Sequence, residues 1–389
     1  MNKQEHIELR KLLHRHAEAS GGEKKTAEII TSILEPTRPE KIVKEIGGNG
    51  IASIYSSENE GPTILFRCDM DALLIPETIQ LEYSSYNSGT SHKCGHDGHM
   101  TIMLGLAQRI ADKQLKTGKA ILLFQPDEET GKGARLVLDD VKFQELVPKP
   151  DFVFALHNIP GYPLGQVIIK ENTFASASIG LSVDLFGATS HAAEPHKGRS
   201  PAMAIAQMIQ SLSSVPQINT ALHEAGQVTI IHARLGEEAF GTSPGYGQVM
   251  ATLRSHSTEV LANLKKACER VVTGISKAYE LDFKIQWKEE FPATINNREA
   301  VKIVEDSARE LNLSIDHDPT PFPWSEDFGH FTQTYPGAMF GLGAREDHPA
   351  LHHPAYDFPD ELIETGINLF ENILYRIEQL YFNDAKIPQ

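Results

Sequence analysis

Apolar positions change their period several times along the chain, and each change predicts an element. Leu9, Leu12 and Leu13, then Ala27, Ile29, Ile30, Ile33 and Leu34, recur at helical spacing, and Pro36 closes the second run. Residues 51–55 and 63–66 read as strands, and Met100, Met103, Leu104, Ala107 and Ile110 mark a further helix. Residues 120–124 and 152–156 are short, wholly apolar runs between polar residues, the pattern of strands covered on both faces. This order predicts an α/β fold on a mostly parallel sheet. Ligands of such sheets sit beyond the carboxyl ends of the strands.

The pattern changes near residue 177. Strands at 178–186, 226–233, 248–255 and 282–288 and helices at 201–213 and Thr258–Ala278 follow in the order βαββαβ, a ferredoxin-like unit. Helix and strand alternate again after Pro292, with a helix at 299–310, a strand at 338–342 and a closing helix at 361–381. The predicted organisation is a discontinuous outer domain, 1–176 and 291–389, carrying an inserted domain, 177–290.

A length of 389 residues suits two domains. The formal charge of -16 argues against nucleic acid or an anionic membrane as partner, since either needs a basic face. No run approaches the roughly 20 apolar residues of a membrane span. Residues 1–10 lack the basic-then-apolar start of a signal peptide. The three cysteines, Cys68, Cys94 and Cys268, form no disulfide framework, so a reducing, cytoplasmic setting is expected.

The chemistry concentrates in Cys94-Gly95-His96-Asp97-Gly98-His99, Asp127-Glu128-Glu129, His157 and His352-His353. Thiolate, imidazole and carboxylate are the side chains that bind divalent transition metals. Cys94 and His96 can close on one ion across a tight turn at Gly95, while His99 opens the following helix as a supporting or capping residue. Glu128 and Glu129 follow a buried strand; extended neighbours point opposite ways, so one is expected on metal and the other on the reacting proton. His157 is expected as a ligand just past its strand, and either His352 or His353 can reach the site. Asp71 is a candidate to hold a ligand imidazole by its second nitrogen. In the insert, His191 and Arg254 become functional if that domain covers the site: His191 toward an oxyanion, Arg254 toward a substrate carboxylate.

Leu13-His14-Arg15-His16-Ala17-Glu18, Arg67-Cys68-Asp69-Met70-Asp71, the stretch from Cys94 to Met100, Pro126 to Glu129, Leu156-His157-Asn158, Ser190 to His196, Ser325 to Phe328 and Leu351 to Phe358 follow one another as in a known family. The chain resembles the metal-dependent amidohydrolases and carboxypeptidases that include hippurate hydrolases, N-acyl-amino-acid aminoacylases and plant auxin-conjugate hydrolases. The resemblance implies two divalent ions per subunit (Zn, Mn, Ni or Co) on Cys94, His96, Glu129, His157 and His352, with Cys94 bridging. It implies Glu128 as general base, Asp71 as orienter, Asn158 and Arg254 toward substrate, and a lid and dimerisation role for the insert, with His191 of the partner subunit acting on the site. The loop 241–245 departs from the family pattern, which bears on substrate recognition rather than hydrolysis.

The reading is a binuclear hydrolase of small N-acyl amino acids, working as a homodimer. A dipeptidase or carboxypeptidase on the same site, a cysteine hydrolase using Cys94, and a non-catalytic binding protein on the same fold are the alternatives.

Overall fold

A computed structural model describes residues 1–384. Its contacts divide into two units. The first holds Met1–Phe174, Thr294–Thr320 and the residues from Asp327 on; the second holds Ala175–Ala293 with Pro321–Glu326.

The first unit is built on an eight-stranded sheet. Its strand order is Lys41–Ile46, Gly50–Ser56, Lys119–Gln125, Thr63–Asp69, Phe152–Ile159, Gly337–Gly343, Val167–Ile168, Ile315–Asp316. The four central strands, from Lys119–Gln125 to Gly337–Gly343, run parallel. Antiparallel pairings flank them on both sides. The central strands are buried almost end to end, which requires cover on both faces and explains why their sequences are apolar without alternation. The edge strand Lys41–Ile46 and the two-residue strands carry too few apolar positions to stand out from sequence.

The helix His96–Lys113 is buried nearly all round over its first twelve residues. It packs against Lys3–Arg15, Leu362–Asp384 and the strand Thr63–Asp69. Close approach is possible because Gly105 has no side chain; a Cβ there would stand 2.2 Å from Ile367 Cδ1. One core cluster joins these helices to the sheet through Phe66, Leu122, Phe154, Phe340 and Phe370.

The second unit has a four-stranded antiparallel sheet ordered Gly226–Leu235, Tyr246–Ser255, Ala177–Phe186, Asp282–Phe291. The helices Ala202–Asn219 and Thr258–Ala278 pack on it around Leu181, Val183, Leu212, Val249 and Leu264. Pro321–Glu326, which the sequence leaves with the outer domain, groups with this unit. The Ser176 N–H and hydroxyl both bond to the Phe322 carbonyl, and Arg254 Nη1 donates to Pro323 O and Ser325 Oγ.

Candidate metal centre

The carboxyl ends of the parallel strands carry the candidate residues. Thr63–Asp69 ends on Asp69 and leads to Asp71, and Lys119–Gln125 leads to the turn Glu128–Thr130. His157 lies inside Phe152–Ile159 rather than past its end, because pairing with Gly337–Gly343 continues to Ile159. His96 is likewise not in a loop: it is the first residue of its helix. Gly95 before it takes φ 94°, in the left-handed region, and a Cβ there would meet the Asn158 amide at 2.6 Å. Only glycine suits both demands.

Two of the imidazoles, His96 and His157, are aimed through Nδ1. In His96, Nδ1 donates to the Asp71 carbonyl at 2.9 Å and stands 3.4 Å from Asp71 Oδ1. In His157, Nδ1 donates to the Asn158 carbonyl at 2.9 Å. Both acceptors hold a proton on Nδ1, so Nε2 is the nitrogen that can turn a lone pair to an ion. His157 Nε2 then faces Cys94 Sγ at 3.5 Å, about the separation that a tetrahedral ion with bonds of roughly 2.0–2.3 Å imposes on nitrogen and sulfur ligands.

Asp71 Oδ2 accepts the Glu129 N–H at 3.0 Å and the Ser20 hydroxyl at 2.7 Å, so one carboxylate braces both a histidine and the acidic turn. Glu128 and Glu129 lie on a 3-10 turn, not on extended chain, and a carboxylate oxygen of each comes within 4.8 Å of the other; Asp127, at φ 59°, starts that turn. Glu129 Oε1 is 3.8 Å from His96 Nε2, and Oε2 is 3.6 Å from His352 Nε2. Of the two late histidines, His352 brings a ring nitrogen to Cys94 and Glu129. His353 Nδ1 instead accepts the Ala355 N–H at 3.1 Å.

Within the first unit four groups of ligand atoms, each within 4.8 Å of one another, result: Cys94, His96, His157; Cys94, Glu129, His352; His96, Glu128, Glu129; Asp69, His96, His99. Cys94 is common to the first two. His96 Nε2 and Glu129 Oε1 are buried without a hydrogen-bond partner, a costly state that a cation relieves. Burial pushes Glu129 up to about 8, the carboxylates of Asp71 and Asp69 adding to it against the pull of His96. Burial alone would lower His96, but Asp69, Asp71 and Glu129 outweigh it and raise it to about 10. Buried acidic and imidazole groups thus crowd together and shift one another, and the donor set fits divalent cations.

Two further polar residues are buried beside the centre. Asn158 is 1% exposed, and its amide is committed to protein: Oδ1 accepts from His99 Nε2, and Nδ2 donates to the Cys94 carbonyl at 3.2 Å and to the Tyr356 hydroxyl. It braces the Cys94 turn. Asp69 pairs with His99 Nδ1 at 2.6 Å and approaches His96 Nε2 at 3.6 Å. Its one sequence signal is its position at a central strand's carboxyl end. Cys68 is buried and its thiol is held well above the usual range by that burial, consistent with core.

In the second unit His191 is exposed, on the two-residue strand Ser190–His191. That strand pairs with Thr242–Ser243, Thr242 opposite His191. The loop 241–245 that departs from the family pattern therefore fixes the backbone of His191. Arg254 is half-buried, with Nη1 engaged by Pro323 O and Ser325 Oγ.

A parallel sheet with thiol, imidazole and carboxylate ligands at its carboxyl ends defines a metal-dependent hydrolase. The model of peptidase family M20/M25/M40 matches residues 65–376. An N-acetyl-L-cysteine deacetylase of Bacillus subtilis is 31% identical over 373 residues, covering 94% of this chain and 86% of its own. A hippurate hydrolase of Campylobacter jejuni is 29% identical over 369 residues, 94% of each chain. A Bacillus subtilis protein described as a dinuclear metal binding peptidase from M20 family shares the fold, with TM-score 0.81 at 24% identity over 97% of this chain and 98% of that one. The chain belongs to peptidase family M20/M25/M40, and it is a metal-dependent amidohydrolase.

Proposed function

We propose that the protein hydrolyses the amide bond of N-acyl amino acids, N-acetyl or similar, using two divalent cations held by Cys94, His96, Glu129, His157 and His352. The observation that carries this reading is Cys94, shared by two ligand groups that reach different histidines. The names N-acetyl-L-cysteine deacetylase and N-acetyldiaminopimelate deacetylase among its relatives support the substrate class. Zinc suits a thiolate–imidazole set, with manganese, nickel and cobalt as the other candidates.

Bound cations lower the pKa of water and polarise the scissile carbonyl. The chain's own residues do the rest. Glu128, 5% exposed in the turn beside Glu129, takes the proton of the attacking water and returns it to the leaving amine. Asp71 keeps His96 on its productive tautomer. His191 donates to the oxyanion and Arg254 grips the free carboxylate of the substrate, so the insert serves as lid. Its edge strand Gly226–Leu235 exposes Ile231 and Leu235, and pairing of that edge across a two-fold axis makes the homodimer. The three cysteines are free, which supports a reducing cytoplasmic home. Among the described residues no helix is long and apolar enough to cross a membrane.

The test is a panel of N-acetyl amino acids, N-benzoyl amino acids and dipeptides, assayed before and after chelation and with each metal restored. N-acyl amino acids should be cleaved, lose turnover with chelator and regain it with metal. Turnover that survives complete metal removal overturns the reading.

A further inference from the structure

The residue before Cys94 is the least expected side chain near the centre. Lys93 is 0% exposed, and a buried ammonium costs several kcal/mol unless it is paired and hydrogen-bonded. Its Nζ donates to Glu77 Oε1 at 3.0 Å and to the Tyr356 carbonyl at 2.8 Å. Its own carbonyl accepts the His352 N–H at 2.8 Å. One residue thus holds the segment 352–356 at both ends, by main chain at His352 and by side chain at Tyr356.

That segment needs holding. The His352 side chain is 51% exposed, whereas those of Cys94, His96 and His157 are buried. Packing therefore fixes His352 least, and its ring follows its backbone. The backbone is at φ 64°, a left-handed conformation that a non-glycine residue keeps only when its surroundings impose it. Glu77, the other partner of Lys93, is itself fixed by His14 Nε2 at 3.0 Å and the Ser85 N–H at 2.8 Å. The anchor is therefore tied to the helix Lys3–Arg15.

We propose that Lys93 is a positioning residue that clamps the His352 segment against the Cys94 turn and so sets the affinity of the ion position formed by Cys94, Glu129 and His352, leaving the position formed by Cys94, His96 and His157 alone. It rests on the two-ion reading of the site. The clamp acts selectively because the buried ligands have anchors of their own, the Asp71 and Asn158 carbonyls.

The experiment titrates metal-free full-length protein with Mn²⁺ and with Co²⁺, counting bound ions by equilibrium dialysis, for wild type, Lys93→Met and Lys93→Met/Glu77→Gln. The single variant leaves Glu77 with His14 and Ser85 as partners; the double variant removes the Glu77 charge as well, and neither restores the clamp. Both should bind one ion as wild type does and the second roughly 10–100-fold more weakly, the range typical of residues that orient ligands. The thiolate-to-cobalt absorption of the first ion should persist. A double variant that binds both ions with wild-type affinity, or weakens both equally, overturns the clamp. A wild-type protein that holds a single ion overturns the two-ion reading, and the clamp with it.

Discussion

Cys94 Sγ stands 3.5 Å from His157 Nε2, joining a helix-entry turn to the middle of a parallel strand. With the His157 Nδ1 proton on a carbonyl, that contact has one acidic hydrogen at most, on sulfur, and loss of it leaves a ready ligand pair. Cys94→Ala should reduce bound metal and turnover together, because it removes the atom common to two ligand groups. Elemental analysis of protein purified from metal-supplemented medium checks this; wild-type metal content in the variant would remove Cys94 from the ligand set.

Glu128 and Glu129 should separate cleanly. Glu128→Gln is expected to keep metal and fold while losing at least roughly 10²–10⁴ in turnover, the usual weight of a general base. Glu129→Ala is expected to lose metal, since its carboxylate stands 3.6 Å from His352 Nε2 and 3.8 Å from His96 Nε2. Metal content and kcat measured on both variants decide it, and the reverse outcome would overturn the proposed roles.

Arg10 is 0% exposed and ion-paired with Asp97, Asp357 and Asp360. Arg10→Met leaves the buried Asp97 with His14 Nδ1, at 2.8 Å, as its cationic partner and takes the guanidinium from Asp357 and Asp360, and should cost about 3–5 kcal/mol of stability. The exposed pair Arg135–Asp139, with side chains 67% and 64% exposed, should cost within about 1 kcal/mol when broken. Denaturant titration of the two variants side by side tests the contrast.

Stability should fall on the alkaline side through His14. Burial would lower its pKa, but hydrogen bonds to Asp97 and Glu77 raise it from 6.5 to about 9. A raised pKa stabilises the fold fully below the unfolded value and loses that contribution as pH climbs from about 6.5 to about 9. Glu77 moves the other way: burial opposes it, but His14 and its other partners lower it to about 2, so its contribution is present above 4.5 and fades as pH falls toward 2. Melting temperature followed from pH 6 to 10 should decline in wild type and flatten in His14→Gln; parallel curves would count against the pair.

Arg254→Ala should mainly impair substrates with a free carboxylate. Comparing an N-acetyl amino acid with its methyl amide tests this, and an equal loss on both would take Arg254 out of recognition.

The sequence by itself determined what local pattern can encode. The wholly apolar runs around Leu122 and Phe154 announce buried parallel strands, and the helix Thr258–Ala278 has the bounds its sequence predicts. Residue type alone marked Cys94, His96, His157 and the acidic turn, because metal chemistry admits few side chains. Only tertiary structure decided between His352 and His353, turned Asn158 inward as a brace, and assembled Lys93, Glu77, His14, Asp97 and Arg10 into one buried network. Those outcomes depend on strands and helices far apart in the chain meeting at one sheet edge, and on burial, which turns an ordinary surface residue type into a paired internal charge. Neither leaves a periodic trace in the sequence.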